Sequence, residues 1–259
     1  MYVEKFCANG NTFILVDSRE VVGEFKSKVK VLCDAKIGMG ADGVIVVNEG
    51  DTPSMTIFNS DGSHANTCGN GLRCVALYLN KRGYPKQLKV KTADKKTPLT
   101  VVCDNPFKVV VNLGKPIFLQ KDEQVISPTL TRLSVGKSFV NLYKVNMGVP
   151  HVVVIDQNAQ KYAKQISTHS EFKEGTNVDF VTIKNGKIYA STYERGVGWT
   201  DACGTGACAV GAVCFALGLA QNKGIIKFKG GNLTVIQKRG EMFLEGSATR
   251  LFGAKIDLF

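Results

Sequence analysis

A short motif occurs twice, and this repeat constrains the fold more than any other feature of the sequence. Cys-Gly-Asn-Gly stands at residues 68–71, and Cys-Gly-Thr-Gly stands at residues 203–206, which is 135 residues further along the chain. In each copy a polar turn precedes the motif, and small and apolar residues follow it. A repeat with so long a period favours two duplicated domains over a solenoid of short repeats. The 259 residues are enough for two such halves.

Each copy of the motif is predicted to begin a helix. In the first copy, apolar residues recur at the spacing of one helix face: Leu72, Val75, Ala76 and Leu79. Gly83 then stands where a helix commonly ends. The second helix, predicted from about residue 205 to 217, consists almost entirely of small or apolar residues, which indicates a helix buried on all sides.

Strand patterns dominate the rest of the sequence. Apolar runs at residues 13–16 and 44–47 are bounded by turn residues, as is typical of buried strands. Turn dipeptides predict three hairpins, over residues 99–113, 181–193 and 233–244. Residues 38–43 match G-x-G-x-x-G, but a strand follows them, so we expect a turn and no nucleotide site. The sequence therefore predicts an α/β (α+β) protein of two β-rich halves, each with a central helix.

A cysteine at the start of a helix has particular chemistry. The N–H groups of the first turn carry the positive end of the helix dipole, so we expect them to lower the pKa of the thiol toward neutrality. The glycines after each cysteine leave bare N–H groups that can hold a carboxylate. Two such motifs suggest one substrate held between two helix starts. One thiolate would remove a proton from an acidic carbon, and the opposite thiol would protonate the other face, without metal or pyridoxal.

The other cysteines are expected to be structural. Six of the eight are predicted to pack in the core or inside the two helices: Cys7, Cys33, Cys74, Cys103, Cys208 and Cys214. A cysteine-based metal or redox protein remains an alternative, although the Cys-x₅-Cys and Cys-x₄-Cys spacings are unusual for zinc.

Charge and hydropathy bear on partners and location. The formal net charge is +11, but the basic residues are scattered and lack interleaved aromatic residues, so we expect no nucleic-acid partner. The first residues show no apolar targeting segment, and the longest uncharged apolar stretch, residues 207–220, is too short to span a bilayer. We therefore expect a cytoplasmic protein with reduced thiols and no membrane partner.

Two longer segments identify a family. Residues 58–74 and 194–208, which contain the two cysteine motifs, resemble the two signature motifs of diaminopimelate epimerases. Further segments follow in the family's order, at residues 10–11, 38–43, 146–151 and 175–178. The resemblance covers essentially the whole chain.

The resemblance implies a pyridoxal-independent isomerase that interconverts LL- and meso-2,6-diaminopimelate, a reaction of lysine and peptidoglycan synthesis. It implies two pseudo-symmetric domains, each a β-barrel-like sheet around a central helix. These would cover residues 1–113 and 114–249, and a final strand at 250–259 would return to the first domain. No organic cofactor or metal is implied. The expected partner is a small amino-acid substrate, and a homodimer is left open.

The resemblance also assigns roles to individual residues. Cys68 and Cys203 match the paired acid and base, and His151 and Glu194 match a family pair near the reaction centre. The residues matched to α-carboxylate binding are Gly69, Asn70, Gly204 and Thr205, through their backbone N–H groups. The residues matched to the distal end of the substrate are Arg195 for its carboxylate and Asn11, Asn59 and Asn177 for its amino-acid head. Glu194 also belongs to the set expected to bind substrate.

Two departures from the family pattern concern the substrate. Val149 stands where the family often has asparagine before Pro-His, and residues 7–13 lack the usual Gly-Asn-Asp-Phe. These changes leave the proton chemistry intact but remove polar contacts expected at the distal end of diaminopimelate. A racemase of another amino acid, such as histidine, therefore remains an alternative. Proline racemases match less well, because their first motif carries Cys-Gly-His.

Overall fold

The computed structural model describes residues 1–65, 68–93, 98–121 and 123–257. The chain divides into two compact units: Met1–Val111 together with Gly246–Phe259, and Asn112–Glu245. Each unit is a mixed sheet with few helices, which confirms the α+β class expected from the sequence. Residues 258 and 259 of the expected final strand lie outside the described residues. Among the described residues, no helix is long and apolar enough to cross a membrane.

Among its described residues, the first unit holds nine strands, and the eighth of them continues beyond Val111 to Gly114. They are β1 (Tyr2–Ala8), β2 (Asn11–Asp17), β3 (Gly43–Asn48), β4 (Ser54–Asn59), β5 (His64–Ala65), β6 (Gln87–Thr92), β7 (Leu99–Asn105), β8 (Lys108–Gly114) and, from the C-terminal segment, β20 (Thr249–Lys255). β20 lies antiparallel to β1, and β1 lies antiparallel to β2. β2 and β3 are parallel, β4 returns antiparallel to β3, and β6 is parallel to β4.

The described part of this unit contains two α-helices, α1 (Phe25–Cys33) and α2 (Gly69–Asn80). Every residue of α2 from Gly69 to Leu79 is buried, and the helix packs against β1, β2, β7 and β20. Helix α1 was not among the elements predicted from the sequence. Its apolar residues Phe25, Val29 and Leu32 form only one buried face, against β3 and β4, because the helix covers the outside of the sheet.

The second unit is built from the remaining strands. They are β9 (Ile117–Gln120), β10 (Glu123–Val125), β11 (Leu130–Val135), β12 (Ser138–Asn146), β13 (Pro150–Val154), β14 (Asn177–Lys184), β15 (Lys187–Glu194), β16 (Gly198–Thr200), β17 (Lys223–Phe228), β18 (Gly231–Lys238) and β19 (Glu241–Gly246). β13 and β14 are parallel, β15 returns antiparallel to β14, and β17 is parallel to β15. The helices are α3 (Ala163–Ser167) and α4 (Gly204–Ala216).

Helix α4 lies at the centre of the second unit. It packs against β12, β13, β14, β15, β17 and β18, and all of its residues except Thr205 and Ala216 are buried. This confirms the prediction of a helix buried on all sides. Small residues make it possible, since a Cβ atom on Gly211 would lie only 2.8 Å from Cγ1 of Val235.

The two units share one strand order. In the first unit, β2 and β3 are parallel, β4 and the short β5 follow antiparallel, and after the buried helix β6 runs parallel to β4. In the second unit, β13 and β14 are parallel, β15 and the short β16 follow antiparallel, and after the buried helix β17 runs parallel to β15. The repeated cysteine motif stands at the same point of both, at the start of the buried helix. The duplication inferred from the sequence is therefore visible as a repeated topology.

The predicted hairpins form with small differences. Asn185 and Gly186 adopt positive φ between β14 and β15, and Arg239 and Gly240 do so between β18 and β19, as two-residue turns of this kind require. In the third hairpin Asn105 pairs with Lys108, so Pro106 and Phe107 form the turn. The core cysteines are buried as predicted, except that Cys7 on β1 is only half-buried.

Candidate functional site

The two buried helices begin with the same backbone geometry. Cys68 has φ −113° and ψ 121°, and Cys203 has φ −121° and ψ 122°, so both are extended residues that precede a helix. The carbonyl of Cys68 accepts the N–H of Leu72, and the carbonyl of Cys203 accepts the N–H of Ala207, each at 2.9 Å. Each thiol therefore projects from the N-cap position, beside first-turn N–H groups that have no partner within the helix.

In the first unit, a polar network lies behind the start of α2. The Asn70 amide donates to Oδ1 of Asn11 at 2.5 Å, which joins the helix start to the start of β2. Arg73, whose side chain is wholly buried, donates to Oδ1 of Asn70 at 2.8 Å and to Oδ1 of Asn9 at 2.7 Å. The structure therefore brings together Asn11 and Asn70 from the expected set, and it adds Arg73, a buried cation that holds Asn70.

Asn59 ends β4, opposite Gly43 on β3. Its amide donates to the hydroxyl of Ser63 at 2.9 Å, and its backbone N–H donates to the Ser63 carbonyl at 2.8 Å. Asp61 accepts both the N–H and the hydroxyl of Ser63. These bonds fix the turn that leads toward Cys68.

In the second unit, the Cys203 thiol is buried and held by its own helix. The N–H of Gly206 donates to Sγ at 3.3 Å, and Oγ1 of Thr205 lies 3.4 Å from Sγ. Burial, together with the negative charges of Glu194 and Asp179, raises the pKa of Cys203 well above its usual value despite these two contacts. The lowered pKa expected from the helix start is therefore wrong for Cys203, because desolvation outweighs the first-turn N–H groups.

Glu194 lies close to Cys203 at the end of β15. Its carboxylate accepts the hydroxyl of Thr200 at 2.7 Å. Burial raises the pKa of Glu194, although the bond from Thr200 and the nearby imidazole of His151 oppose the shift. An acid of raised pKa next to a protonated thiol can exchange protons with it more readily than an ordinary surface carboxylate can.

His151 on β13 connects a buried carboxylate with the helix start. Its Nδ1 lies 2.8 Å from Oδ2 of Asp179, and its Nε2 lies 3.0 Å from Oγ1 of Thr205. The other carboxylate oxygen of Asp179 accepts the hydroxyl of Thr192 at 2.6 Å. Asp179, Thr192 and His151 are all buried, so these contacts are shielded from solvent.

Asn177 and Arg195 lie beside this group. The Asn177 amide donates to the Pro150 carbonyl at 3.2 Å and accepts the backbone N–H of Arg195 at 2.9 Å. The Arg195 guanidinium donates to the Glu174 carbonyl at 2.8 Å, and the Glu174 carboxylate lies 3.8 Å from it. A substrate carboxylate could pair with Arg195 through the geometry that a guanidinium favours.

The second unit thus brings together every residue expected of it: His151, Asn177, Glu194, Arg195, Cys203, Gly204 and Thr205. Asp179 and Thr192, which contact this group, were not among the residues predicted from the sequence. A signal for Asp179 was present, because it is the one carboxylate in the apolar run 178–181 and shares a strand face with Asn177. Within the described residues, no three or more His, Cys, Asp or Glu side chains are arranged to hold a metal ion.

The fold is shared with solved structures of low sequence identity. A Bacillus anthracis phenazine biosynthesis protein of the PhzF family matches with a TM-score of 0.73 at 14% identity, over 100% of this chain and 99% of that one. A hydroxyproline epimerase from Agrobacterium vitis, with trans-4-hydroxy-L-proline bound, matches with a TM-score of 0.70 at 11% identity, over 99% of this chain and 90% of that one. The chain thus shares the two-unit α+β fold of these proteins.

Closer relatives define the family. The model of the family described as diaminopimelate epimerase matches residues 3–119 and 143–251. A diaminopimelate epimerase from Archaeoglobus fulgidus is 37% identical, over 96% of this chain and 93% of that protein, and one from Clostridium perfringens is 35% identical, over 91% and 92%. The chain belongs to the diaminopimelate epimerase family, and the protein is an isomerase.

Proposed function

We propose that the protein interconverts LL- and meso-2,6-diaminopimelate by inverting one α-carbon, with Cys68 and Cys203 as its two acid–base groups. One observation carries the proposal: both cysteines hold the same N-cap position on the buried helix of units that share one strand order. The relatives named diaminopimelate epimerase support the substrate. The reaction would serve lysine and peptidoglycan synthesis in the cytoplasm, where the thiols stay reduced.

The proposed chemistry moves one proton in each direction. A thiolate takes the α-proton, the bonding electrons pass into the α-carbon and its carboxylate, and the other thiol then protonates the opposite face. The first thiol ends protonated and the second ends as a thiolate. The helix-start N–H groups of Gly69, Asn70, Gly204 and Thr205 would stabilise the negative charge that develops on the carboxylate, so the mechanism needs no pyridoxal or metal.

The raised pKa of Cys203 supports an order of events. A thiol with a pKa well above 9.0 carries its proton at neutral pH, so Cys203 would be the acid in the first turnover of the resting enzyme. Cys68 would then be the base. After that turnover the roles are exchanged, and Glu194, with its raised pKa, would help to restore the proton on Cys203.

The test measures epimerisation of pure LL- and pure meso-diaminopimelate by chiral chromatography. Cys68→Ala and Cys203→Ala should each lower kcat by at least about 10³-fold, since each removes a whole acid–base group. Cys214→Ala is the matched control, because Cys214 is a buried cysteine of α4. It should retain activity within about twofold, as a small apolar replacement would allow. Full activity in either of the first two variants would exclude the two-cysteine mechanism.

A second candidate, racemisation of another amino acid such as histidine, is favoured by one observation. Val149, before Pro150-His151, cannot supply the side-chain amide that the family often has at this position. A panel of free amino acids assayed for loss of optical purity separates the candidates. The diaminopimelate proposal predicts a kcat/KM for diaminopimelate above that of every single-headed amino acid in the panel.

A further inference from the structure

We propose that Asp179 is a positioning residue: it fixes the tautomer of His151 so that Nε2 faces the hydroxyl of Thr205 and, through it, the thiol of Cys203. This inference rests on the proposed function, in which Cys203 is an acid–base group. It adds a chain of four side chains that ends at Cys203, in which Asp179, His151 and Cys203 are buried and Thr205 is half-buried.

The placement of Asp179 follows from strand register. His151 pairs with Asn177, and Val153 pairs with Asp179, across the parallel strands β13 and β14. Asn177 and Asp179 lie two residues apart, so their side chains share one face with His151. Thr192 stands directly opposite Asp179 on β15. The neighbouring strands β13 and β15 therefore flank the Asp179 carboxylate, and α4 packs over β14.

The hydrogen bonds around His151 and Asp179 then assign the tautomer of His151. The Thr192 hydroxyl donates to Oδ1 of Asp179 at 2.6 Å, and Oδ2 lies 2.8 Å from Nδ1 of His151. A carboxylate only accepts hydrogen bonds, so Nδ1 must carry the proton. In a neutral imidazole this leaves Nε2 as an acceptor, 3.0 Å from the Thr205 hydroxyl.

The Thr205 hydroxyl completes the connection. It can donate to Nε2 of His151 and accept from the Cys203 thiol, whose Sγ lies 3.4 Å away. When the thiol loses its proton to Thr205, Thr205 passes its own proton to Nε2. The products are the Cys203 thiolate and an imidazolium that faces Asp179. The charges balance, and the buried carboxylate stabilises the cation that forms.

In a purely structural role, the Asp179 side chain would only pack below α4 and would not set the tautomer of His151. The two roles differ in one observable, the nitrogen of His151 that carries the proton. Nitrogen-15 chemical shifts report this directly, and His151→Gln assigns the signal among the three histidines of the chain. The wild-type protein should show Nδ1–H. In Asp179→Asn the amide nitrogen can donate to Nδ1, so the Nε2–H form should appear.

Kinetics provide the second measurement. Asp179→Asn should lower kcat by about 10²-fold with KM changed by less than about threefold, as expected for loss of acid–base assistance without loss of binding. Asp156→Asn is the control, since it removes an exposed carboxylate of the same unit. If the Asp179→Asn protein does not fold, the kinetic test uses the variants Thr205→Val and Thr205→Ser instead. Both keep the backbone N–H, and only the serine variant, which keeps the hydroxyl, should retain kcat within about threefold.

The outcomes separate this inference from the proposed function. A wild-type protein with the proton on Nε2, or an Asp179→Asn protein that keeps both Nδ1–H and full kcat, would overturn the positioning role. Equal kcat in Thr205→Val and Thr205→Ser would overturn the connection to Cys203. If the wild-type protein does not epimerise diaminopimelate, the proposed substrate fails. In that case the nitrogen-15 shifts of His151 still test the positioning role of Asp179. The kcat of each variant is then measured with the amino acid that the panel identifies as substrate.

Discussion

A Cβ atom on Gly206 would lie 2.4 Å from Oδ1 of Asp179, so the start of α4 fits over the buried carboxylate only because residue 206 has no side chain. The same atom would lie 3.0 Å from Oγ1 of Thr192. Gly206 of the motif therefore matters for packing as well as for the accessibility of its backbone N–H. It lets the helix start approach the carboxylate that faces His151.

Gly206→Ala should therefore lower both stability and activity, although alanine normally favours a helix by about 1 kcal/mol over glycine. The methyl group must displace Asp179 or the first turn of α4, which we expect to cost about 1–3 kcal/mol of unfolding free energy. Chemical denaturation and steady-state kinetics measure the two effects. Gly50→Ala is the control, because a Cβ atom there meets nothing within 4 Å. An unchanged or higher stability for Gly206→Ala would contradict the close fit.

Isotope exchange should distinguish two acid–base groups from one. In deuterated water, the product epimer should gain deuterium at the α-carbon from the first turnover, while recovered substrate gains little at low conversion. The reason is that, in the proposed mechanism, the thiol that protonates the product differs from the one that accepts the substrate proton. Mass spectrometry of the separated epimers measures this. Equal early incorporation into substrate and product would indicate a single base.

Glu194→Gln should change how stability depends on pH. The pKa of Glu194 is raised by burial, so the wild-type protein loses stability as pH rises from below 4.5 through the raised value, where the buried acid must ionise. Glutamine does not ionise. The stability of the variant relative to wild type should therefore increase from pH 4 to pH 7, as measured by denaturation at a series of pH values. A pH-independent difference would contradict this account.

The same substitution should make Cys203 more reactive. After burial, the charge of Glu194 is the largest cause of the raised pKa of Cys203, so its removal should lower that pKa. Peptide mapping after brief iodoacetamide treatment at pH 8 should show faster alkylation of Cys203 in Glu194→Gln. Glu174→Gln, which removes a carboxylate that is 88% exposed in the same unit, should leave the rate unchanged.

Glu4 should stabilise the pairing of the C-terminal strand β20 with β1. Its buried carboxylate on β1 accepts hydrogen bonds from Arg82 and from Arg250 of β20. Burial by itself would raise the pKa of Glu4, but the bonds from Arg250 and Arg82 outweigh it and lower the pKa below 4.5. Glu4→Gln should cost about 2 kcal/mol at pH 7, as expected for charge-assisted bonds between partly exposed partners.

The sign of the pH effect follows from the lowered pKa. The contribution of Glu4 is fully present above pH 4.5 and is lost as pH falls through the lower, folded-state value. The stability difference between wild type and Glu4→Gln should therefore shrink below pH 4.5. Glu24→Gln, at an exposed position with no side-chain capping bond, is the control and should show neither effect.

The structural features that could be predicted from the sequence are those decided by local interactions. The glycine-rich starts of α2 and α4, the apolar composition of α4 and the positive-φ turns at 185–186 and 239–240 depend on residues that are neighbours in the chain. Such features follow from conformational preference and hydrophobic spacing alone. The repeat of Cys68 and Cys203 also required only the order of residues. Helix α1 escaped notice because its apolar face is short and interrupted by lysines.

The tertiary structure alone decided the surroundings of Cys203. The parallel pairing of β13 with β14 joins His151 to Asp179 across 28 positions of sequence, and the docking of α4 then adds Thr205. The same packing reverses the expected direction of the Cys203 pKa, because burial and two carboxylates outweigh the helix start. The sequence by itself determined which residues can do acid–base chemistry. Only the fold determined their solvation and neighbours, since these depend on groups far apart along the chain.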